Sequence, residues 1–199
     1  SNNTATGYQA LTANTTGAQN VAVGANALLA NTTGASNTAI GHDILKANTT
    51  GFNATAVGRL ALQANTTGQE NVAIGMQTLQ ANTTGNQNTA VGSFALYTNT
   101  TASSNTAVGE RALRVVTTGS YNTGIGRYAG DLTTTGQYNI TIGYGSDPTS
   151  ATVSGQCTLG DSNISNLRCN DTSISALSDQ RDKTEIVDSP YGLEFIKTV

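Results

Sequence analysis

The stretch Asn20-Val21-Ala22-Val23-Gly24-Ala25-Asn26-Ala27-Leu28-Leu29-Ala30-Asn31-Thr32-Thr33-Gly34-Ala35-Ser36 decides the fold, because the chain then begins it again with Asn37-Thr38-Ala39-Ile40-Gly41. Outward from it, the glycine of each unit recurs at Gly7, Gly24, Gly41, Gly58, Gly75, Gly92, Gly109, Gly126, Gly143 and Gly160, every interval being 17 residues. A second glycine follows at Gly17, Gly34, Gly51, Gly68, Gly85, Gly119 and Gly136, with Ala102 once in its place. Self-similarity at a fixed short period marks a stacked repeat architecture, in which each unit is too small to bury a core alone.

Helix is excluded by the unit itself, since a glycine and an Asn-Thr-Thr-Gly cluster interrupt every repeat and leave no room for three amphipathic turns. Two short strands and two turns fit. In Asn37-Thr38-Ala39-Ile40-Gly41, period-two alternation puts Thr38 and Ile40 on one face and Asn37, Ala39 and Gly41 on the other. A second strand, as in Ala27-Leu28-Leu29-Ala30-Asn31, aligns Leu28 with Ala30, and Asn31-Thr32-Thr33-Gly34 turns the chain. The class is therefore all-β: a parallel β-solenoid of about ten rungs, stacked at roughly 4.8 Å to give a rod of roughly 50 Å. Equivalent residues lie above one another, and one inserted residue would flip a strand face. The Val/Ile and Leu columns are expected to form the interior. An intertwined triple β-helix, with three chains sharing each rung, is the alternative arrangement.

Charge marks the outside. Up to Gly143 the charged residues fall just after the glycine (Arg59, Arg127, Glu110, Asp43, Arg111), a few residues further on (Lys46, Arg114, Asp131) or in the turn (Glu70), and none falls on the first strand. With one face of that strand assigned to the interior, the other, lined by Asn20, Asn37, Asn71, Asn88, Asn105, Asn122 and Asn139, is expected to meet another chain. Interfaces are depleted of charge, and a homotrimer is the expected assembly.

Composition supports a rod over an ordinary enzyme core. Of 199 residues, 22 are Gly, 21 Asn and 34 Thr, while aromatics make 5% and charged residues 11%, against roughly a quarter charged in ordinary domains. The net charge of -3 and the lack of any Lys/Arg run give nucleic acid no patch to bind. No apolar stretch of about 18 residues predicts a membrane span, and Ser1-Asn2-Asn3-Thr4 is no signal peptide. The first residue lies within a repeat, so the parent protein is expected to extend further towards its N-terminus.

The unit Asn-Thr-Ala-Val/Ile-Gly-x-x-Ala-Leu, over roughly residues 3 to 160, resembles the heads of trimeric autotransporter adhesins and, in its Thr-Thr-Gly turns, the trimeric β-solenoid shafts of bacteriophage tail fibres. The second resemblance implies a structural shaft on a virion, self-associated as a homotrimer, joined to other tail proteins and projecting a tip towards a host-surface glycan or protein. The first implies a bacterial surface adhesin instead.

Near Ala151 the composition shifts: residues 1–150 hold 10 of the 21 charges and the last 49 hold 11. The expected organisation is a shaft over 1–150, a capping segment over 151–177 and a further domain from 178 to 199. Leu159-Gly160-Asp161 and Leu167-Arg168-Cys169 read as short strands, and the residues after Pro190 as a helix start. Ser178-Asp179-Gln180-Arg181-Asp182-Lys183, with Gly192-Leu193-Glu194-Phe195-Ile196 beyond it, is similar to the start of the intramolecular chaperone domain of phage tail spikes and fibres. That resemblance implies self-cleavage by Ser178 and Lys183, for which a desolvated lysine can act as base towards a serine hydroxyl. The other reading of the pair is two solvated loop residues. Apart from such a single-turnover step, no enzyme is expected.

Other candidate chemistry is thin. Asn-x-Thr sequons at Asn14, Asn31, Asn48, Asn65 and Asn82 fall out of the turn repeat. Gly124-Ile125-Gly126 with Gly130 mimics a phosphate loop but has no helix after it. His42 has no ligand set for a metal, no cofactor is expected, and no facing carboxylate pair suggests a glycosidase. Cys157 and Cys169 read as free thiols or as a bridge within or between chains. An ice-binding solenoid is a third class, and it lacks the flat Thr-x-Thr face.

Overall fold

The computed structural model describes residues 2–166, nearly the whole of a first unit, Ser1–Ser165; the second unit is Asn166–Val199. Cys169, Ser178, Lys183 and the domain expected from 178 to 199 lie outside the described residues. Ten three-residue strands follow one another: β1 (Thr4–Thr6), β2 (Val21–Val23), β3 (Thr38–Ile40), β4 (Thr55–Val57), β5 (Val72–Ile74), β6 (Thr89–Val91), β7 (Thr106–Val108), β8 (Thr123–Ile125), β9 (Ile140–Ile142) and β10 (Cys157–Leu159). They form one parallel sheet in sequence order, each residue paired with the one 17 further on, as Ala39 with Ala56 and Ile40 with Val57. The chain is a β-solenoid, and consecutive rungs of one chain hydrogen-bond each other, as a single-chain coil requires. The stack continues through β10, past the compositional change at Ala151. The described residues contain no helix, hence none able to cross a membrane.

The strand faces are the reverse of the expectation. Ala22, Ala39, Ala56, Ala73, Ala90 and Ala107 are fully buried, while Ile40, Ile74, Val108 and Ile125 are 38–42% exposed. The Val/Ile column therefore points outward, and the Asn-Ala face lines the interior. Width decides this. The coil is so thin that the strand faces its own Leu column, and once Leu28, Leu45, Leu62, Leu79, Leu96 and Leu113 are inside with no exposure, the opposite column has room only for alanine. Where the leucine is missing, at Gly130, a Cβ would run into Leu113 of the rung before.

The expected second strand is also absent. From Gly24 to Ala30 the chain makes turns, with Asn26 at φ 56° and Leu28 at φ 51°. Each regular rung carries three such left-handed non-glycine residues, for example Gln77 (φ 56°), Leu79 (φ 52°) and Gln87 (φ 57°). An L-residue held there costs roughly 1–2 kcal/mol, tolerated because bonds between rungs hold the corners, such as Leu28 N to Ile44 O at 3.1 Å and Ala30 N to Lys46 O at 3.0 Å. The glycine after each strand has a different reason. Gly58 has φ 124°, and a Cβ on it would lie 2.6 Å from Gly75 O of the next rung.

Two asparagine columns fill the polar half of the interior. Asn48 Nδ2 donates to Asn31 Oδ1 (2.8 Å) and to Gly51 O (3.0 Å), while its Oδ1 accepts from Asn65 Nδ2 (2.8 Å). From the strand side, Asn37 Nδ2 donates to the same Gly51 O (2.9 Å), and Asn37 N to Asn20 Oδ1 (3.0 Å). A primary amide both donates and accepts, so a column of identical amides satisfies itself without water. The asparagine-lined face, expected to meet another chain, is closed within one chain instead. The ladder stops where the sequence departs from the repeat: Val116 follows Asn99, and Asn99 Oδ1 is left without a donor.

Rung 54–70 tests the energetics, because Ala54 replaces the strand-side asparagine and Gly68 O has Asn65 Nδ2 (3.0 Å) as its side-chain donor. Asn65→Ala strands Gly68 O, Asn48 Oδ1 and one Asn82 proton, at about 1–3 kcal/mol per buried unpaired group. Asn48→Ala leaves Gly51 O still bonded to Asn37. Urea unfolding is expected to find Asn65→Ala the more damaging by about 1 kcal/mol or more.

Candidate functional site

The outward face of the sheet is built from two columns. One runs Thr4, Val21, Thr38, Thr55, Val72, Thr89, Thr106, Thr123, Ile140 and Cys157; the other runs Thr6, Val23, Ile40, Val57, Ile74, Val91, Val108, Ile125, Ile142 and Leu159. β-branched residues dominate both because they suit a pleated surface. Neither column holds a charge in any of the ten strands. With ten strands at about 4.8 Å and about 13 Å between the residues flanking each strand, the face covers roughly 550 Å², and contiguous apolar patches beyond a few hundred Å² mark interaction surfaces.

Two lines of exposed, variable side chains edge this face. Before each strand stand Ser36, Asn53, Glu70, Gln87, Tyr121 and Tyr138; after each glycine stand His42, Arg59, Met76, Arg127 and Tyr144, with Glu110 half-buried in the same line. Tyr121 and Tyr138 stack at 4.9 Å with rings 3° from parallel. On the other edge Arg127 Nε donates to Glu110 Oε2 at 2.9 Å and its guanidinium lies 4.7 Å from the Tyr128 ring centre. Further round, Arg114 holds Asp131 through two bonds, at 2.9 and 3.2 Å, and this pairing raises the arginine's proton affinity further. Among the described residues there is no cavity and no group of three His, Cys, Asp or Glu that could hold a metal.

The sites read from the sequence fall as follows. Ser178, Lys183 and Cys169 lie outside the described residues, whereas Cys157 is exposed on β10 in the outward column. Asn31, Asn48, Asn65 and Asn82 are fully buried, their amides engaged in the ladder, so these sequons are internal structure. In the phosphate-loop mimic, Gly124 takes the place of a core alanine against Leu113, and Gly126 is the strand-end glycine with φ 129°. His42 is exposed, its Nδ1 3.3 Å from Asp43 Oδ2.

Sequence reasoning missed that the Val/Ile column is the exposed surface. The signal was there in the Ala22–Ala107 column, which keeps one small residue on rung after rung while the other face varies among Thr, Val and Ile. Constant small size, more than hydrophobicity, marks the tight interior.

No family model matches this chain, no curated protein matches it, and no solved structure matches it.

Two carboxylates on the coil respond to acid with opposite sign. Burial pushes Asp43 upward, but the hydrogen bond from Asn26, the bond and charge of Lys46 and the charge of His42 together outweigh it, so its pKa lies below the ordinary value. Its stabilising contribution is fully present above the ordinary aspartate range and is lost as the pH falls through the lower folded value. Burial raises the Asp147 pKa; the Leu132 N–H bond opposes this and the charge of Asp131 adds to it. The folded state then takes up that proton first, and stability is gained as the pH falls through the raised value. Urea midpoints at neutral and acid pH are expected to show Asp43→Asn less acid-sensitive than the parent chain and Asp147→Asn more so, with Asp147→Asn at least as stable as the parent at neutral pH.

Proposed function

We propose that this chain is the shaft of a bacteriophage tail fibre or a related virion fibre, a homotrimer whose three copies pack around the outward face of the sheet. One observation carries the reading: an unbroken, charge-free surface along all ten strands, of Thr, Val and Ile from β1 to β9 and of Cys157 and Leu159 on β10, without a partner in the single chain. Such a surface spans the rod from rung to rung, as a load-carrying element requires. The motif resemblance adds the class of assembly, since both families with this unit are trimeric.

Three is the number the width supports. Closing three faces about 13 Å wide into a triangle leaves each about 4 Å from the axis, close to half the roughly 10 Å that separates packed sheets. One layer of Val, Ile and Thr side chains fills that space. Together the three faces would bury roughly 1,600 Å², the size of a specific interface. Assembly then explains the outward valines and isoleucines, which the expectation had placed inside the coil. In this reading the fibre projects a tip towards a host surface, and self-cleavage by Ser178 and Lys183 belongs to the maturation of the fibre end.

Ile74 is 40% exposed in the single chain, so Ile74→Asp leaves the coil intact and puts a charge into the trimer axis. Sedimentation equilibrium is expected to give a trimer for the parent chain and a monomer for Ile74→Asp and for Val108→Asp, with the same circular dichroism. A folded monomer for the parent at micromolar concentration refutes the assembly. Immunogold labelling with antibody to the shaft separates the two biological settings: label on virion tails supports the fibre, and label on a bacterial surface supports an adhesin head.

A further inference from the structure

The edges of the sheet face carry a second pattern, which rests on the homotrimer reading and specifies how its copies meet. Asp43 is bonded to Lys46 at 3.1 Å, Arg127 to Glu110 at 2.9 Å and Arg114 to Asp131 at 2.9 Å, and Arg111 lies 3.9 Å from Glu110. Among the described residues this leaves Arg59, Glu70, Asp147 and Asp161 without an opposite charge. The two aspartates sit in the last turns, each bonded to a neutral group: Asp147 accepts from Leu132 N and Asp161 from Asn163. Glu70 also accepts from a neutral group, Gln87 Nε2, at 3.0 Å, but it and Arg59 differ in where they stand. They belong to one repeat, carry opposite charge, are both exposed and stand on opposite edges of the outward face.

We propose that Glu70 of each copy forms an ion pair with Arg59 of the neighbouring copy, joining the leading edge of one sheet face to the trailing edge of the next in a parallel ring. Rotation about an axis parallel to the rod brings these two edges together at every junction. Packing two rods head to tail would instead set each edge against its own kind. Along the chain, Glu70 stands between the heights of Arg59 and Met76. At about 4.8 Å per rung its offset from Arg59 is about 3 Å along the axis, which two long side chains span.

Size follows the same correspondence. Small residues occupy both edges of the same repeat at Ala25 with Ser36 and at Ser93 with Ser104. Bulky ones coincide where the stacked rings of Tyr121 and Tyr138 come level with Glu110 and Arg127, a guanidinium and aromatic faces that attract each other. No hydrogen bond joins the two edges within the described chain, so nothing inside one copy requires their sizes and charges to match. A contact between copies does.

A charge-reversal cycle on the full chain tests this. Arg59→Glu and Glu70→Arg each place like charges at all three junctions and are expected to weaken trimer association about tenfold or more, while the double variant Arg59→Glu with Glu70→Arg restores it to within about threefold. Unchanged urea midpoints of the singly reversed chains, measured in an Ile74→Asp background, separate association from folding. Where the trimer is too tight for a measurable dissociation constant, Arg59→Cys with Glu70→Cys in a Cys157→Ser, Cys169→Ser background is treated with a bismaleimide whose reach matches the two side chains it replaces, because a direct disulfide is shorter than an Arg–Glu pair. Covalent trimers on a denaturing gel support the junction; monomer bands from a sedimenting trimer overturn it. Silent single reversals, or a double variant as weak as their combined effect, in a chain that remains trimeric also overturn the pairing and leave the trimer standing. A parent chain that sediments as a monomer removes the trimer itself.

Discussion

Everything in this coil depends on like bonding to like at a constant interval of 17 residues. An asparagine amide carries a donor and an acceptor, so a column of them closes on itself only if each rung puts the same group at the same height, as Asn31, Asn48, Asn65 and Asn82 do. Threonine works the same way on the outer turn, where Thr49 Oγ1 donates to Thr66 O at 3.1 Å and Thr66 Oγ1 to Thr83 O at 3.0 Å. The strand-end glycines follow from that demand, because the rungs approach closely enough for a Cβ on Gly58 to meet Gly75 backbone. A single inserted residue would break every column at once, which accounts for ten units without an insertion.

The period, the parallel sheet and the Leu column were legible because spacing and a large apolar side chain are direct signals. The inward strand face was not. Period-two reasoning separates Thr38 and Ile40 from Asn37 and Ala39 correctly, but deciding which pair is inside requires the thickness of the coil, and that is set by Leu45 across the interior. A hydrophobicity rule prefers isoleucine to alanine, and here volume overrules it. The left-handed corners were equally hidden: Leu60, Gln77, Phe94 and Arg111, with φ between 56° and 63°, share no glycine-like chemistry that would announce a positive φ. Of the candidate site, the sequence suggests that the Asn-Ala face meets another chain, whereas that face lines the interior of the single coil and the Thr/Val/Ile face lies outside.

The edges of that face were readable as solvent-facing, since charges fall there, yet their pairing was not. Arg59 and Glu70 are eleven residues apart in the sequence, and in isolation each is an ordinary surface charge. Only when the other rungs are seen to settle their charges internally does this repeat stand out.

A coil of this kind divides its forces unevenly. Its interior holds one leucine in each regular rung among alanines and amides, so hydrophobic burial within one chain is small and polar ladders carry much of its specificity. The larger β-branched side chains are kept for the outside, where one chain alone gives them nothing to pack against. Under the trimeric reading the hydrophobic core of this protein is therefore shared: each chain contributes a wall, and the apolar interior exists only once three walls close. Polar ladders are nearly indifferent to a shift by a whole repeat, as are the Val and Ile columns, because every rung presents the same groups. The information that distinguishes one rung from another lies on the edges, in Arg59 and Glu70, in the small pairs and in the tyrosines, so the residues least constrained by the coil are the ones free to specify how coils align.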